Sequence, residues 1–182
     1  MARSERSTFV PMALPQRSLL MRANRLLGAN LVEANLVKIE DLEQANEKLL
    51  AMLDTHQPRQ CTVLGILAYD MKVLREDDVL QYIVDNEGVG LVDLRTYDVS
   101  DDIKKTLDSD VCWATWSVPF DREEDYRFIA TAYYPSAAVR TYWEKQFAAP
   151  ILWFGTTLEG IADFLERLDG TVPAPAEAAK PA

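Results

Sequence analysis

Few side chains in this sequence are of the types that carry out catalysis. The chain has one histidine, His56, and two cysteines, Cys61 and Cys112. A cysteine nucleophile needs a histidine within hydrogen-bond reach, and His56 falls in a loop between predicted helices, where a surface histidine is expected. The cysteines form no Cys-x-x-Cys motif and no disulfide framework, which is typical of a reducing cytoplasm. The sequence therefore predicts no Cys–His nucleophile pair.

One acidic turn could supply oxygen ligands to a metal ion. Its carboxylates are those of Asp121, Glu123, Glu124 and Asp125. The spacing and the glycine of a calcium-binding loop are missing, so a solvated hairpin tip is the prediction. The chain also lacks the Gly-x-x-x-x-Gly-Lys-Ser/Thr loop that holds a nucleoside triphosphate. The sequence thus predicts no metal site, no catalytic residues and no enzyme.

The strongest pattern in the sequence is an internal repeat. Residues 27–44 recur in eroded form as residues 64–81, so that matched positions lie 37 residues apart. The copies begin with Leu27-Gly28 and Leu64-Gly65 and continue with aliphatic positions in the same order. Such self-similarity indicates one small helical unit used twice. Glycine within a helix costs about 1 kcal/mol relative to alanine, which predicts that the repeated glycines have a packing role.

Each copy is predicted to form a helical hairpin. The first copy has a helix from Ser18 and a second helix from about Glu40, and the second helix of the other copy starts near Glu76. Acidic residues cluster in the first turn of both second helices, where they favour the positive end of the helix dipole. The residues expected to face inward are Leu42, Ala45, Leu49, Leu50 and Leu53 in one copy and Val79, Leu80 and Ile83 in the other.

The second half of the chain changes to alternating strands and helices. The predicted strands are residues 89–94, 111–118, 126–134 and 151–154, with the acidic turn forming a hairpin. A brief helix is expected after Ser100 as its N-cap, a longer one from Pro135 to Phe147, and a last one from a capping box at 156–159 to Gly170. The order of the last five elements is that of a small ββαβα sandwich.

Composition places the chain among ordinary globular proteins. It has 182 residues, a hydrophobic fraction of 48% and a formal net charge of −10. Residues 1–37 are basic, with five arginines and two glutamates, so the remainder is strongly acidic. An acidic body repels a phosphate backbone, and nonspecific nucleic-acid binding is not expected. No secretory signal and no membrane span are predicted.

These patterns predict an α+β fold, in which a duplicated helical hairpin unit is followed by the ββαβα sandwich. The expected organisation is a flexible N-terminal arm (1–17), a tandem helical repeat (18–87), the sandwich (88–170) and a disordered tail (171–182). Proline, alanine and small polar residues favour disorder at both ends.

The Leu-Gly repeats resemble the N-terminal domain of the type II secretion and type IV pilus assembly ATPases, known as the GspE N-terminal or MshEN-type domain. The matching positions are Leu27-Gly28, Leu31, Leu36-Val37 and Leu42 in the first copy and Leu64-Gly65, Val73-Leu74 and Val79 in the second. The strand at 91–94 and the strand that ends in Tyr133-Tyr134-Pro135 follow the same pattern. The resemblance covers residues 25–168 and implies a free-standing version of a domain that elsewhere regulates or tethers a motor.

In the MshEN subset the resemblance implies a cyclic di-GMP site, built from a basic residue beside each Leu-Gly pair and a glutamine that ends each repeat. The candidate ligand-binding residues carried over are Arg25, Leu27, Gly28, Leu31, Leu64 and Gly65. The sequence departs from the pattern at the polar positions, where it has Leu26, Val63, Leu49 and Asn86. Leucine and valine side chains offer no hydrogen bond to a guanine or a phosphate.

Two functions are therefore expected as alternatives. The first is a non-enzymatic regulatory or docking module that acts through protein–protein interaction, with a partner in a secretion or pilus apparatus. It predicts an apolar exposed groove on the repeat helices and no cofactor. The alternative is a cyclic di-GMP receptor. Both place the chain in the cytoplasm without a membrane span of its own, and the first allows a partner to recruit it to the inner membrane.

Overall fold

A computed structural model describes residues 12–55 and 58–170 of the chain. Within these residues it has eight α-helices and one mixed four-stranded sheet, which confirms the α+β class. His56, the C-terminal tail and residues 1–11 of the N-terminal arm lie outside the described residues.

The first part of the chain forms the two expected helical hairpins. Helix α1 (Leu14–Glu33) is followed by α2 (Ile39–Met52), and a short 3₁₀ turn (Pro58–Gln60) leads to the second hairpin. That hairpin consists of α3 (Val63–Gly65), which continues as a π-helical turn (Ile66–Asp70), and of α4 (Glu76–Glu87). Helix ends in the two copies match at the 37-residue spacing, since Glu33 corresponds to Asp70 and Ile39 to Glu76.

The turns inside the two hairpins repeat as well. Asn35 and Lys72 occupy equivalent positions, and both adopt left-handed backbone conformations, with φ of 59° and 55°. The residue after each donates its N–H back to the preceding helix, Leu36 to the Leu31 carbonyl at 2.9 Å and Val73 to the Leu67 carbonyl at 3.0 Å. A left-handed backbone is rare for a lysine. The two copies therefore share the backbone path of the turn although the residue at this position differs.

Helix α1 begins at Leu14, four residues before the predicted start at Ser18. Pro15 lies in its first turn, where the missing N–H would have no helical partner in any case. One residue of α2 expected to face inward does not, because Leu50 is 56% exposed. The other inward positions of α2 and α4 are buried or half-buried.

The second half contains the sheet. Its strands are β1 (Gly90–Leu91), β2 (Ser117–Glu123), β3 (Tyr126–Thr131) and β4 (Ile151–Gly155), in the order β1-β4-β3-β2. β2 and β3 form the predicted antiparallel hairpin, whereas β4 pairs in parallel with both β1 and β3. The helices of this half are α5 (Asp101–Lys104), α6 (Ser109–Thr115), α7 (Ala137–Gln146) and α8 (Leu158–Leu168). β2-β3-α7-β4-α8 is the predicted ββαβα order.

The prediction of a strand over residues 111–118 is wrong for most of its length. Residues 111–115 belong to α6, and only residues 117–118 join β2. The helix starts because the Asp108 carboxylate accepts the N–H groups of Asp110 and Val111, at 3.1 and 3.3 Å. Every residue from 111 to 120 is buried, so the aromatic and β-branched composition reflects burial on all sides and not a strand.

Smaller differences concern helix starts and the first strand. Thr157, and not Thr156, is the N-cap of α8, and its hydroxyl accepts the N–H of Gly160 at 3.0 Å. Ser100 occupies the N-cap position of α5 as predicted, but its side chain makes no capping hydrogen bond. β1 covers two residues of the six predicted at 89–94.

One hydrophobic core spans both halves of the described chain. It runs from Leu19 in α1 to Leu165 in α8, and α1 packs against both α6 and α7. A buried polar network crosses the same boundary: the side-chain Oδ1 of Asn24 accepts the Val63 N–H at 2.8 Å and the Tyr133 hydroxyl at 2.6 Å. Buried polar groups are stabilising when paired in this way, so the network fixes α1 between the second hairpin and the end of β3.

Candidate functional site

Three of the six candidate ligand-binding residues belong to the core. Leu27, Leu31 and Leu64 are all buried, with at most 1% of each residue exposed. A side chain without exposed surface does not contact a ligand on the outside of the fold. The leucines of the Leu-Gly repeats therefore hold the hairpins together.

The two repeated glycines are packing residues, as predicted, but they contact different neighbours. A Cβ atom at Gly28 would lie 2.5 Å from Cδ1 of Leu42, so the glycine lets the Leu42 side chain of α2 approach the backbone of α1. A Cβ atom at Gly65 would lie 2.7 Å from Cγ2 of Thr62. Gly28 is buried, whereas Gly65 is half-buried and lines a surface groove.

Arg25 lies on the exposed side of α1, at a groove between α1 and α2. We call this the α1–α2 groove; it has a volume of about 240 Å³ and is lined by Met21, Arg22, Asn24, Arg25, Asn46, Leu49 and Leu50. Its surface is mainly apolar. Arg22 and Arg25 form no salt bridge with any residue that the structure describes.

Gly65 lies at a different and larger groove. We call this the Trp116 groove; it has a volume of about 750 Å³ and is lined by Met52, Arg59, Gln60, Thr62, Gly65, Ile66, Tyr69, Asp70, Trp116, Leu158, Glu159 and Ala162. The two grooves share no residue. Arg25 and Gly65, which the resemblance assigns to one ligand site, therefore line separate surfaces.

The positions where the sequence departs from the family pattern are consistent with this separation. Val63 and Leu49 are buried and Leu26 is half-buried. Asn86 is exposed and donates its side-chain amide to the Tyr82 carbonyl within its own helix, at 2.9 Å. The leucine and valine side chains at three of these positions carry no polar atom.

Charged and hydroxyl groups near the Trp116 groove are paired with one another. Lys48 pairs with Asp70 at 2.6 Å, and Arg59 pairs with Glu166. The Tyr69 hydroxyl donates to the Glu76 carboxylate, and this hydrogen bond, together with burial, raises the pKa of Tyr69.

Trp116 is the tryptophan that lines this groove. The residue is only 1% exposed, and its indole Nε1 is buried without a hydrogen-bond partner among the described residues. Tryptophan is a donor only at this atom. Trp113, Trp116 and Trp143 lie in the core; an unpartnered donor among them becomes visible only when its neighbours are placed.

The other chemical candidates have structural explanations. Cys61 and Cys112 are buried and form no disulfide bond with each other. Burial raises the pKa of both thiols, and Arg17 partly offsets the rise at Cys61. Asp121 in the acidic turn accepts the Tyr97 hydroxyl, which raises the pKa of Tyr97 to about 12. Over residues 12–55 and 58–170, no group of three or more His, Cys, Asp and Glu side chains is arranged to hold a metal ion.

Comparison with known proteins identifies the fold. No protein-family model and no curated protein sequence matches the chain. Among solved structures, MshE with cyclic di-GMP (cdg) is 21% identical and aligns over 78% of this chain and 97% of its own, with a TM-score of 0.50. The N-terminal domain of XpsE is 18% identical and aligns over 80% and 94%, also with a TM-score of 0.50.

These likenesses show that the chain has the GspE N-terminal, or MshEN-type, fold. They confirm, at the level of the fold, the resemblance predicted from the Leu-Gly repeats. In the part of the chain that the structure describes, no helix is both long and apolar enough to cross a lipid bilayer.

Proposed function

We propose that this chain is a non-enzymatic docking or regulatory module that binds a protein partner of a secretion or pilus apparatus in the cytoplasm and is brought to the inner membrane by that partner. The fold supports the proposal, because it is that of N-terminal domains such as the one in XpsE. The packing of the repeat supports the proposal too: the repeated leucines Leu27 and Leu64 are buried, and Gly28 packs against Leu42, so these positions serve the hairpins.

The observation that carries the proposal is the α1–α2 groove. Its floor contains Met21 and Leu49, and Leu50 stands 56% exposed at its edge. Arg22 and Arg25 lie beside these apolar groups without a salt bridge among the described residues, in a chain whose net charge is −10. An apolar lining with two arginines beside it is suited to an amphipathic partner that carries carboxylates.

The partner that fits this groove is an amphipathic helix with carboxylates beside its apolar face. Such a helix would place its apolar side chains against Leu50 and Met21, which is a common mode of helix-in-groove recognition. Its carboxylates would pair with Arg22 and Arg25. The complementary charges would speed association and select against basic helices.

Designed peptides provide the test. We would compare two amphipathic helices of about 15 residues, one with leucine on one face and glutamate on the other, and a matched peptide with lysine for glutamate. Fluorescence anisotropy should show binding of the acidic peptide alone. Arg25→Ala should weaken this binding about fivefold, with the larger share of the effect at low salt.

A matched pair of leucine variants tests the location. Leu50→Ser removes the exposed leucine of the groove, whereas Leu14→Ser removes an 80% exposed leucine of α1 that does not line it. Leu50→Ser should abolish the binding of the acidic peptide and Leu14→Ser should leave it unchanged. The proposal is refuted if neither peptide binds, if both bind equally, or if the two leucine variants have the same effect.

Binding of cyclic di-GMP is the alternative function. It is supported by the likeness to the structure of MshE with cdg. Against it, the candidate residues Leu27, Leu31 and Leu64 are buried, and Arg25 and Gly65 line different grooves. We therefore favour the docking function.

A further inference from the structure

The Trp116 groove combines apolar walls with an exposed aromatic ring. Met52, Ile66, Leu158 and Ala162 supply apolar surface around a volume of about 750 Å³. Tyr69 also lines the groove and is 62% exposed. An apolar concavity beside a solvent-facing ring is a surface on which an apolar side chain of another segment can be buried.

One wall of this groove is the π-helical turn Ile66–Asp70. Its hydrogen bond runs from the Met71 N–H to the Ile66 carbonyl at 2.8 Å. The equivalent residues of the first copy, 29–33, belong to the regular helix α1, so the repeat itself does not require this turn. Single π-helical turns are rare and occur frequently at functional sites. The backbone geometry therefore marks the same surface as the cavity.

Carboxylates outnumber cations around the groove. The cations Arg59 and Lys48 are paired with Glu166 and Asp70. Glu159 lines the groove, is exposed and forms no salt bridge with any residue that the structure describes. Two cations thus face three carboxylates. A segment that carries positive charge next to an apolar side chain would complement this surface.

The described chain begins beside the segment that forms one end of the groove. Arg17, near the start of α1, pairs with Asp54 at 2.6 Å, and Asp54 lies two residues after Met52 of the groove. An extended chain spans at most about 3.3–3.6 Å per residue. Phe9 can therefore lie up to about 17 Å from Leu14, the first residue of α1, which brings the groove within its reach.

Residues 1–11 have the chemistry that complements the groove. They contain Arg3 and Arg6 against a single acidic residue, and Phe9 follows the second arginine by three positions. Residues 171–182 offer no such match, because they contain one lysine, one glutamate and no aromatic residue. Of the two ends of the sequence, only the first supplies both an aromatic ring and an excess of positive charge.

We propose that residues 1–11 dock in the Trp116 groove of the same chain, with the Phe9 ring against its apolar walls and an arginine, Arg3 or Arg6, paired with Glu159. The groove shares no residue with the α1–α2 groove, so this inference does not depend on the proposed docking function. The docked segment occupies the groove, and any other ligand of the groove competes with it.

A nitroxide spin label on the full chain tests the proposal. Ser7→Cys introduces the labelling site, and the native thiols of Cys61 and Cys112 are buried and therefore unreactive. The unaltered chain, taken through the same labelling reaction, measures any background. Paramagnetic broadening of the backbone amide signals in ¹⁵N-correlated NMR then reports which residues lie near the label.

The amide signals of Gly65 and Ala162, which line the groove, should broaden. The amide signal of Glu123 is the internal control, because Glu123 lies six residues along β2 from Ser117, at a distance of about 20 Å. It should remain sharp. Sharp signals at Gly65 and Ala162, or equal broadening at all three residues, would overturn the proposal.

Matched variants in the two ends of the sequence test the chemistry. Arg6→Glu should reduce the paramagnetic broadening at Gly65 at least about threefold, whereas Lys180→Glu, the same change in charge, should not alter it. Phe9→Ser should reduce the broadening by a similar factor, about threefold, and Val172→Ser should have no effect. Unchanged broadening in both Arg6→Glu and Phe9→Ser would contradict the proposal.

A mixture of two samples distinguishes docking within a chain from docking between copies. One sample is the unaltered chain with ¹⁵N, and the other is the spin-labelled Ser7→Cys chain without ¹⁵N. The signals of Gly65 and Ala162 should stay sharp in this mixture. Broadening as strong as in the spin-labelled ¹⁵N chain would show that residues 1–11 dock on a second copy, and the proposal would be wrong.

Discussion

The carboxylate of Glu76 accepts the backbone N–H of Leu158 at 2.7 Å, and so caps the start of α8 from the second hairpin. Its other oxygen accepts the Tyr69 hydroxyl. The residue at the equivalent position of the first hairpin is Ile39, which is exposed. The two copies of the repeat have therefore taken different roles at this position, where the second copy holds the C-terminal helix and the first presents an exposed isoleucine.

Glu76→Ala should lower the free energy of unfolding by about 1–3 kcal/mol, because it leaves the buried N–H of Leu158 without an acceptor and removes the hydrogen bond to the exposed Tyr69. Urea denaturation measures the change. Asp77→Ala is the control on the same helical turn, where the carboxylate is 75% exposed and pairs only with Arg75, and it should cost less than about 0.5 kcal/mol. Equal losses for the two variants would show that the Glu76 hydrogen bonds contribute nothing.

Gly28→Ala should destabilise the chain by about 1–2 kcal/mol, since the new methyl group would collide with Leu42 and the strain exceeds the gain in helix propensity. Thermal or urea denaturation of a double-mutant cycle checks this. In a Leu42→Ala background, Gly28→Ala should cost nothing or stabilise slightly. In a Leu50→Ala background, which truncates an exposed leucine of the same helix, the full cost should remain. Independence of Gly28 and Leu42 would contradict the packing role.

Stability should fall above about pH 9, where a cysteine thiol ionises in the unfolded chain. Burial, with smaller contributions from Asp108 and Asp169, raises the pKa of Cys112 in the folded state. The unfolded chain therefore loses the proton first, and the free energy of unfolding decreases as the pH rises further, by up to about 1.4 kcal/mol per pH unit for one thiol. Below the thiol pKa of the unfolded chain, the protonated Cys112 makes its full contribution to the free energy of unfolding.

Urea denaturation between pH 7.5 and pH 10, a range set by the unfolded thiol pKa of about 8.5, measures this dependence. Cys112→Ala should show a shallower decline, whatever its stability at pH 7.5. Part of the decline in the free energy of unfolding should remain in this variant, because the thiol pKa of Cys61 is also raised. An unchanged slope would mean that Cys112 ionises as readily in the folded chain as in the unfolded one.

Titration calorimetry with cyclic di-GMP should give no saturable heat at high micromolar nucleotide. The expected result follows from the separation of Arg25 from Gly65 and from the burial of the repeat leucines. MshE under the same conditions serves as the positive control. Saturable heat that Arg25→Ala abolishes would restore the receptor function and overturn our preference for docking.

The sequence was sufficient for the hairpins because their pattern encodes burial directly. Leu27 and Leu64 occupy equivalent positions, and both are buried. The same pattern does not determine the site, because a leucine in a family motif can belong to the core or to a ligand site, and spacing alone does not distinguish the two. What decides between them is the side of the helix that the rest of the chain covers.

The error at α6 has a related cause. A helix buried on every side has no polar face, so residues 111–115 lack the periodicity by which a surface helix is recognised. The signal that could have corrected it is Asp108, whose carboxylate caps the helix. The unpaired indole of Trp116 had no signal of this kind, because it depends on which atoms lie opposite the ring in the folded chain.

Helix α1 is attached to the second half of the chain by two hydrogen bonds. Its Ala23 carbonyl accepts the Ser136 hydroxyl at 2.8 Å, and the side-chain oxygen of Asn24, a residue that also lines the α1–α2 groove, accepts the Tyr133 hydroxyl at 2.6 Å. A pull exerted at Arg25 would therefore reach the segment after β3 and the start of α7 through hydrogen bonds made by the two residues just before it in the helix. If the proposed partner binds at Arg25, these bonds are the route by which mechanical load passes from the groove to the second half of the chain.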